Sequence, residues 1–253
     1  MTLDLSRREP VTLAEVLAEA PATDRVDRKY IVPREIAQEF VDRLPSEFRV
    51  LTINGRRSTG YASTYFDTDD LATCRAHIQQ RRRRWKFRSR LYVEDQFCRL
   101  EVKARDGSGL TRKYFHEIDP AAHGTIDLPG QDFLATQLVD LGFDGVSRLR
   151  PTLEATYRRS TLAAPALALR VTIDESVQCA GRGHVVEVDP RFVIVETKGG
   201  VLVAGADRLL RELGQRPVSF SKYAASLSLI DPRVPDNDVR RMLGRQLHLR
   251  LAS

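Results

Sequence analysis

Cysteine is scarce in this chain of 253 residues: Cys74, Cys98 and Cys179 are odd in number and far apart. That excludes a disulfide framework and a CxxC metal knuckle, and it points to reduced thiols. The five histidines show no HExxH or other paired-ligand spacing, so a His/Cys metal centre is not expected. Long apolar runs are missing too. The longest stretch without a charged residue is the ten residues Ser160–Leu169, about half of what a membrane-spanning helix needs. No transmembrane segment is therefore expected. The opening Met1-Thr2-Leu3-Asp4-Leu5-Ser6-Arg7-Arg8 lacks an apolar core, so a secretory signal is not expected and a cytoplasmic location is. Lysine is scarce as well. Only Lys29, Lys86, Lys103, Lys113, Lys198 and Lys222 occur, against 34 arginines. In a chain that uses arginine so freely, the retained lysines suggest places where a compact point charge is needed rather than a planar fork.

What the chain does have is charge and enough apolar residues for a core. It is 42% hydrophobic and 29% charged, with net charge +6 and pI near 9.4, so its partners are expected to be anionic. A helical pattern begins at Thr12. Strands are predicted at Asp24–Val32, Thr59–Asp67, Arg83–Val93, Phe97–Arg105, Leu110–Ile118, Arg148–Leu162, Ala168–Val177, His184–Val188 and Phe192–Lys198, with a hairpin signal at Asn54-Gly55. Helices are predicted at Pro33–Leu44, Asp69–Gln79, Gln131–Leu141, Ala206–Leu213 and Lys222–Ile230, and Ala121–Gly130 reads as a loop. The last twenty or so residues read as a helix or a loose tail. One β-rich domain with interspersed helices is expected.

The strands carry their charges with a period of two, which puts them on one face. Arg84, Lys86, Arg88, Arg90 and Tyr92 oppose Trp85, Phe87, Ser89 and Leu91. Glu101, Lys103 and Arg105 oppose Leu100, Val102 and Ala104, and Glu196 and Lys198 oppose Val193, Val195 and Thr197. Arg158, Arg170 and Lys29 lie on comparable faces. A sheet with one face in water would explain each strand alone. Repetition over six strands, with basic residues dominant and carboxylates isolated, points instead to a closed barrel with a basic lumen. Such a lumen suits a polyanion with a divalent metal.

Several short motifs then line up in order: Arg28-Lys29-Tyr30-Ile31-Val32, Tyr65-Phe66-Asp67-Thr68, Lys86-Phe87-Arg88-Ser89-Arg90, Leu100-Glu101-Val102-Lys103, Arg150-Pro151, Tyr157-Arg158-Arg159, Arg170-Val171-Thr172-Ile173-Asp174, Val195-Glu196-Thr197-Lys198 and Phe220-Ser221-Lys222-Tyr223. Together they resemble the VTC domain, the polyphosphate polymerase branch of the triphosphate tunnel (CYTH-like) superfamily. The resemblance implies an α+β fold: an eight-stranded antiparallel β-barrel with helices packed outside. It implies a helical segment at 1–24, the tunnel domain at 25–230 and a basic tail at 231–253. It implies ATP-dependent polymerisation of inorganic polyphosphate with Mn²⁺ or Mg²⁺. Lys29, Arg88, Arg90 and Lys222 are the implied catalytic residues. Lys29, Lys86, Arg88, Arg90, Lys103, Arg112, Arg158, Arg170, Lys198 and Lys222 are the implied phosphate-binding residues. Arg112 is preferred to Lys113, and Glu196 is the implied metal ligand. A membrane-protein partner is also implied.

The Glu-x-Glu-x-Lys signature of the wider superfamily is replaced here by Arg25-Val26-Asp27-Arg28-Lys29, which argues against a two-metal triphosphatase built on that signature. A triphosphate or polyphosphate hydrolase and a non-catalytic polyphosphate sensor are the alternatives. Nucleic acid is not expected: the Arg81–Arg90 run is interleaved with Trp85 and Phe87, but those aromatics fall on the face opposite Lys86, Arg88 and Arg90.

Overall fold

The computed structural model describes residues 2–18, 26–108, 110–143, 148–199, 205–237 and 239–252. Asp24 and Arg25 of the expected first strand lie outside them. In chain order the strands are β1 (Pro10–Val11), β2 (Val26–Pro33), β3 (Arg49–Leu51), β4 (Thr59–Asp67), β5 (Arg84–Tyr92), β6 (Phe97–Arg105), β7 (Thr111–Ile118), β8 (Arg150–Ala164), β9 (Leu169–Gly181), β10 (His184–Val188), β11 (Phe192–Gly199) and β12 (Leu247–Leu251). The helices are α1 (Leu13–Ala18), α2 (Arg34–Arg43), α3 (Ala72–Ile78), α4 (Leu128–Asp140), α5 (Gly205–Glu212) and α6 (Lys222–Ile230). The class is α+β, as the resemblance implies; the β2–β11–β9 and β4–β5–β6–β7 ladders are antiparallel, and β1 pairs with β3 in parallel.

The chain forms two compact units. The first comprises Met1–Thr59, Tyr157–Val177 and Val188–Phe220. Its ladder runs β2–β11–β9, with Glu196 opposite Lys29 on one side and Thr172 on the other. One face of this ladder buries Tyr30, Val32, Val171, Ile173, Val193 and Val195 against Phe40 and Val41 of α2 and Leu209 and Leu210 of α5. Pro33 precedes the first turn of α2 and Pro45 follows its cap Leu44, so prolines bound the helix at both ends. The Asn54-Gly55 turn forms: both residues have positive φ (48° and 78°), and Ile53 and Arg56 exchange backbone hydrogen bonds. It does not join paired strands, because β3 pairs with β1 and β8.

The second unit comprises Gly60–Thr156, Gln178–Glu187 and Ser221–Ser253. Its main ladder is β4–β5–β6–β7. Phe66, Phe87, Leu100, Val102 and Ala104 form its core face, packed against Leu134 and Leu138 of α4. α4 begins three residues before the predicted Gln131. Asp127 caps it by accepting from the Gly130 backbone N–H, and Pro129 fits the first turn. Gly130 faces the sheet, where an added Cβ would lie 2.6 Å from Leu100 Cδ1. The C-terminal segment has one 3₁₀ turn, Arg240–Met242, and then a strand rather than a helix or a loose tail. Leu247–Leu251 forms β12 beside β10, Leu247 is buried, and the Ala252 N–H donates to Gly183 O. Among the described residues, no helix is long and apolar enough to cross a membrane.

Candidate functional site

In the second unit the alternation of β4–β7 gathers the predicted residues on one face. Three rows follow from the register. Lys86 pairs with Lys103, which pairs with Lys113; Tyr65, Arg88, Glu101 and Phe115 form the next row; Ser63, Arg90, Arg99 and Glu117 form the third. Arg84 opposite Arg105 extends the face at the lysine end. Like charges directly opposite one another destabilise a sheet, so two basic pairs and a lysine row need counter-charge nearby.

Two carboxylates stand among these cations, Glu117 opposite Arg99 and the less exposed Glu101. Glu101 accepts from Arg88 Nε at 2.8 Å and from Arg99 Nε at 2.7 Å, and Arg90 Nη1 lies 3.6 Å away. Burial would raise its pKa, but the charges of Arg88, Arg90 and Arg99 outweigh burial and hold the carboxyl well below its usual range. Arg88 also donates to the Tyr65 hydroxyl at 3.0 Å, and Tyr65 stacks on Tyr223 at 4.8 Å. The Tyr223 hydroxyl donates to Asp67, which is fully buried and accepts the Thr73 and Cys74 backbone N–H groups at the start of α3. This network fixes the start of α6, where Ser221 is the N-cap and Lys222 the first helical residue, as predicted. Lys86 Nζ donates to Ser221 Oγ at 2.8 Å.

The register places Arg112 and Lys113 on different faces of β7. Arg112 lies opposite Ala104 on the core-side face, 54% exposed, 3.7 Å from Asp106; Lys113 lies opposite Lys103 on the charged face. The one-residue shift follows from the period-two alternation of β7. Lys113 is one of only six lysines, and that scarcity is the sequence signal that points to it.

In the first unit, Lys29, Glu196 and Thr172 form one row of a face, and Asp27, Lys198 and Arg170 the next. Lys198 Nζ is 3.3 Å from Glu196 Oε1, and Lys29 Nζ donates to Phe220 O at 3.0 Å. Arg170 donates to Val16 O at 3.2 Å. Arg158 is exposed and donates to Ser58 O at 3.1 Å. Its neighbour Arg159 is partly buried and forks onto Asp174 at 2.6 and 2.8 Å. On the opposite face Asp207 of α5 accepts from the Tyr30 hydroxyl at 2.7 Å and Thr197 Oγ1 at 2.6 Å, with Arg28 at 3.3 Å. This buried hub locks β2 to β11. Sequence spacing gave no sign of it, because its members come from three separate segments.

Among the described residues there is no group of three or more His, Cys, Asp or Glu side chains suited to a metal. Glu196 fits a different mode. It is a single partly buried carboxylate, and the Thr172 hydroxyl opposite it is buried without a hydrogen-bond partner. Mg²⁺ commonly takes one or two protein carboxylates and completes its shell with water and phosphate oxygens.

No curated protein matches the chain. Among solved structures, it is similar to a candidate adenylate cyclase from Bacillus halodurans (14% identity over 78% of this chain and 94% of that one, TM-score 0.48). It is also similar to a candidate adenylyl cyclase from Hippeastrum that has a dominant triphosphatase activity (16% identity over 81% and 95%, TM-score 0.46). A family model of the VTC domain matches residues 24–230, so the chain belongs to the VTC domain family.

Proposed function

We propose that the protein is an ATP-dependent polyphosphate polymerase. The observation that carries this reading is the β5–β6–β7 face: basic residues stand directly opposite one another as Lys86–Lys103–Lys113, Arg90–Arg99 and Arg84–Arg105, around one arginine-saturated carboxylate. Such a face suits several linked phosphates rather than one, and family membership supports the same substrate class.

In the proposed reaction an oxygen of the terminal phosphate of a polyphosphate chain attacks the γ-phosphorus of ATP. A new P–O bond forms, the bond to the β–γ bridging oxygen breaks, and ADP leaves. The attacking oxygen is already anionic, so no general base is required. Arg88 and Arg90 hold phosphate oxygens with planar forks, and Lys86, Lys103 and Lys113 add point charges along the chain. The family resemblance supports phosphate contacts by Lys29, Arg158, Arg170 and Lys198 as well. Lys222, at the start of α6, contacts the transferring phosphate. Glu196 would hold Mn²⁺ or Mg²⁺, which when bound neutralises phosphate charge. The family resemblance also supports a membrane-protein partner in a cytoplasmic setting.

The test is to incubate the purified protein with ATP and Mn²⁺ and quantify polyphosphate and free phosphate together. Polyphosphate with matching ADP is expected. Free phosphate alone would establish hydrolysis by water, and neither product a binding protein without turnover.

A further inference from the structure

Phe115 is out of place for a core residue. Its neighbours Tyr114 and Ile118 pack into the hydrophobic cluster, whereas Phe115 lies on the charged face opposite Glu101 and is 65% exposed. The other residues of β7 on that face are Thr111, Lys113 and Glu117. Phe115 has aromatic company. Arg99 lies over both the Phe115 ring (5.0 Å) and the Tyr92 ring (5.3 Å). Tyr92 meets Tyr61 at 4.8 Å and Phe97 at 5.5 Å, and Arg90 lies over Tyr61 at 5.4 Å.

The face is therefore polar along its length. Along the strands the Tyr61–Tyr92–Phe97 row lies at one end, the Arg90–Arg99 row and then the Arg88–Glu101–Phe115 row follow, and Lys86, Lys103, Lys113, Arg84 and Arg105 lie at the other end. A nucleoside triphosphate has the same asymmetry: an uncharged π-face at one end and charge concentrated at the other. We propose that Phe115, with Tyr92 and Arg99, forms a stacking shelf for the nucleobase of the triphosphate substrate. This rests on the reading that the β5–β7 face takes a triphosphate.

The shelf sets the direction of the substrate. With the base at Phe115, the phosphates run across β6 into the adjacent Lys113–Lys103–Lys86 row, about 7 Å further along the strands. Lys86 donates to Ser221, the residue before Lys222, so the γ-phosphate comes to the start of α6. Stacking tolerates any base because each has a π-face, so purine nucleotides with different edge groups are expected to bind alike.

Calorimetry with ATP and with tripolyphosphate, which has no base, tests the shelf. Phe115→Ala should weaken ATP about tenfold while leaving tripolyphosphate within about twofold, and Phe115→Trp should keep ATP affinity. Phe115 is exposed, so neither change burdens the core. Unchanged ATP affinity in Phe115→Ala, or equal losses for both ligands, would overturn the shelf. Arg88→Ala is the parallel arm. If it left tripolyphosphate affinity unchanged, the phosphate-binding reading itself would fall, and the shelf with it.

Discussion

Glu101 shows how a single residue reconciles a cationic face with a stable fold. Without bound anion, Arg88, Arg90 and Arg99 converge on its carboxylate, which spares the sheet three neighbouring positive charges. Its pKa is lower in the folded chain than in the unfolded one, so its contribution to stability is complete above the unfolded value of about 4.3. That contribution fades as pH falls from there toward the depressed folded value. Glu101→Gln removes one partner of a buried ionic cluster and should cost about 3 kcal/mol at pH 7. The gap to the parent protein should narrow by about 2 kcal/mol at pH 3, since each pKa unit is worth about 1.36 kcal/mol. Urea unfolding at the two pH values, in buffer free of phosphate, measures both. A gap independent of pH would mean that the ionised carboxylate is not what the arginines stabilise.

At the scale of elements, α6 carries the most chemistry per residue. Ser221 caps it while accepting from Lys86, Lys222 begins it, and Tyr223 is tied to Asp67. Lys222→Arg should keep most ATP affinity but lose most chain elongation, because a wider planar fork replaces a compact ammonium at a fixed helix start. Polyphosphate yield and nucleotide affinity from the same preparation decide it; full yield would mean that only the charge matters there. The start of this helix was legible in the sequence from Ser221 and the apolar residues after it. So were the faces of β5 and β6, because strict alternation of charge and apolar residues leaves one register that buries Phe87, Leu100 and Val102. The Asp67–Tyr223 bond was not legible, since its partners are 156 residues apart and neither stands in a local pattern. β12 was missed for a related reason: of its three leucines only Leu247 is buried, and the strand exists through its backbone pairing to β10.

For the whole molecule, a net charge of +6 and the basic rows of β5–β7 mean that polyanions should measurably stabilise the folded state. A ligand that binds only the folded state at 100 times its Kd adds about 2.7 kcal/mol. In a protein of this size that raises Tm by about 5–10 °C. Tripolyphosphate should produce such a shift in low salt, and the shift should shrink at 0.5 M NaCl as exposed charges become screened. Mn²⁺ added with tripolyphosphate should raise Tm further, because the metal gains a carboxylate from the protein and oxygens from the ligand. In Glu196→Ala the shift from tripolyphosphate alone should persist, since the cations remain, while the extra increment from Mn²⁺ disappears. Scanning calorimetry of both proteins with and without Mn²⁺ separates the two contributions. If tripolyphosphate failed to shift the parent protein in low salt, the basic faces would not be its binding surface. If Glu196→Ala kept the Mn²⁺ increment, the metal would have to sit on other oxygens.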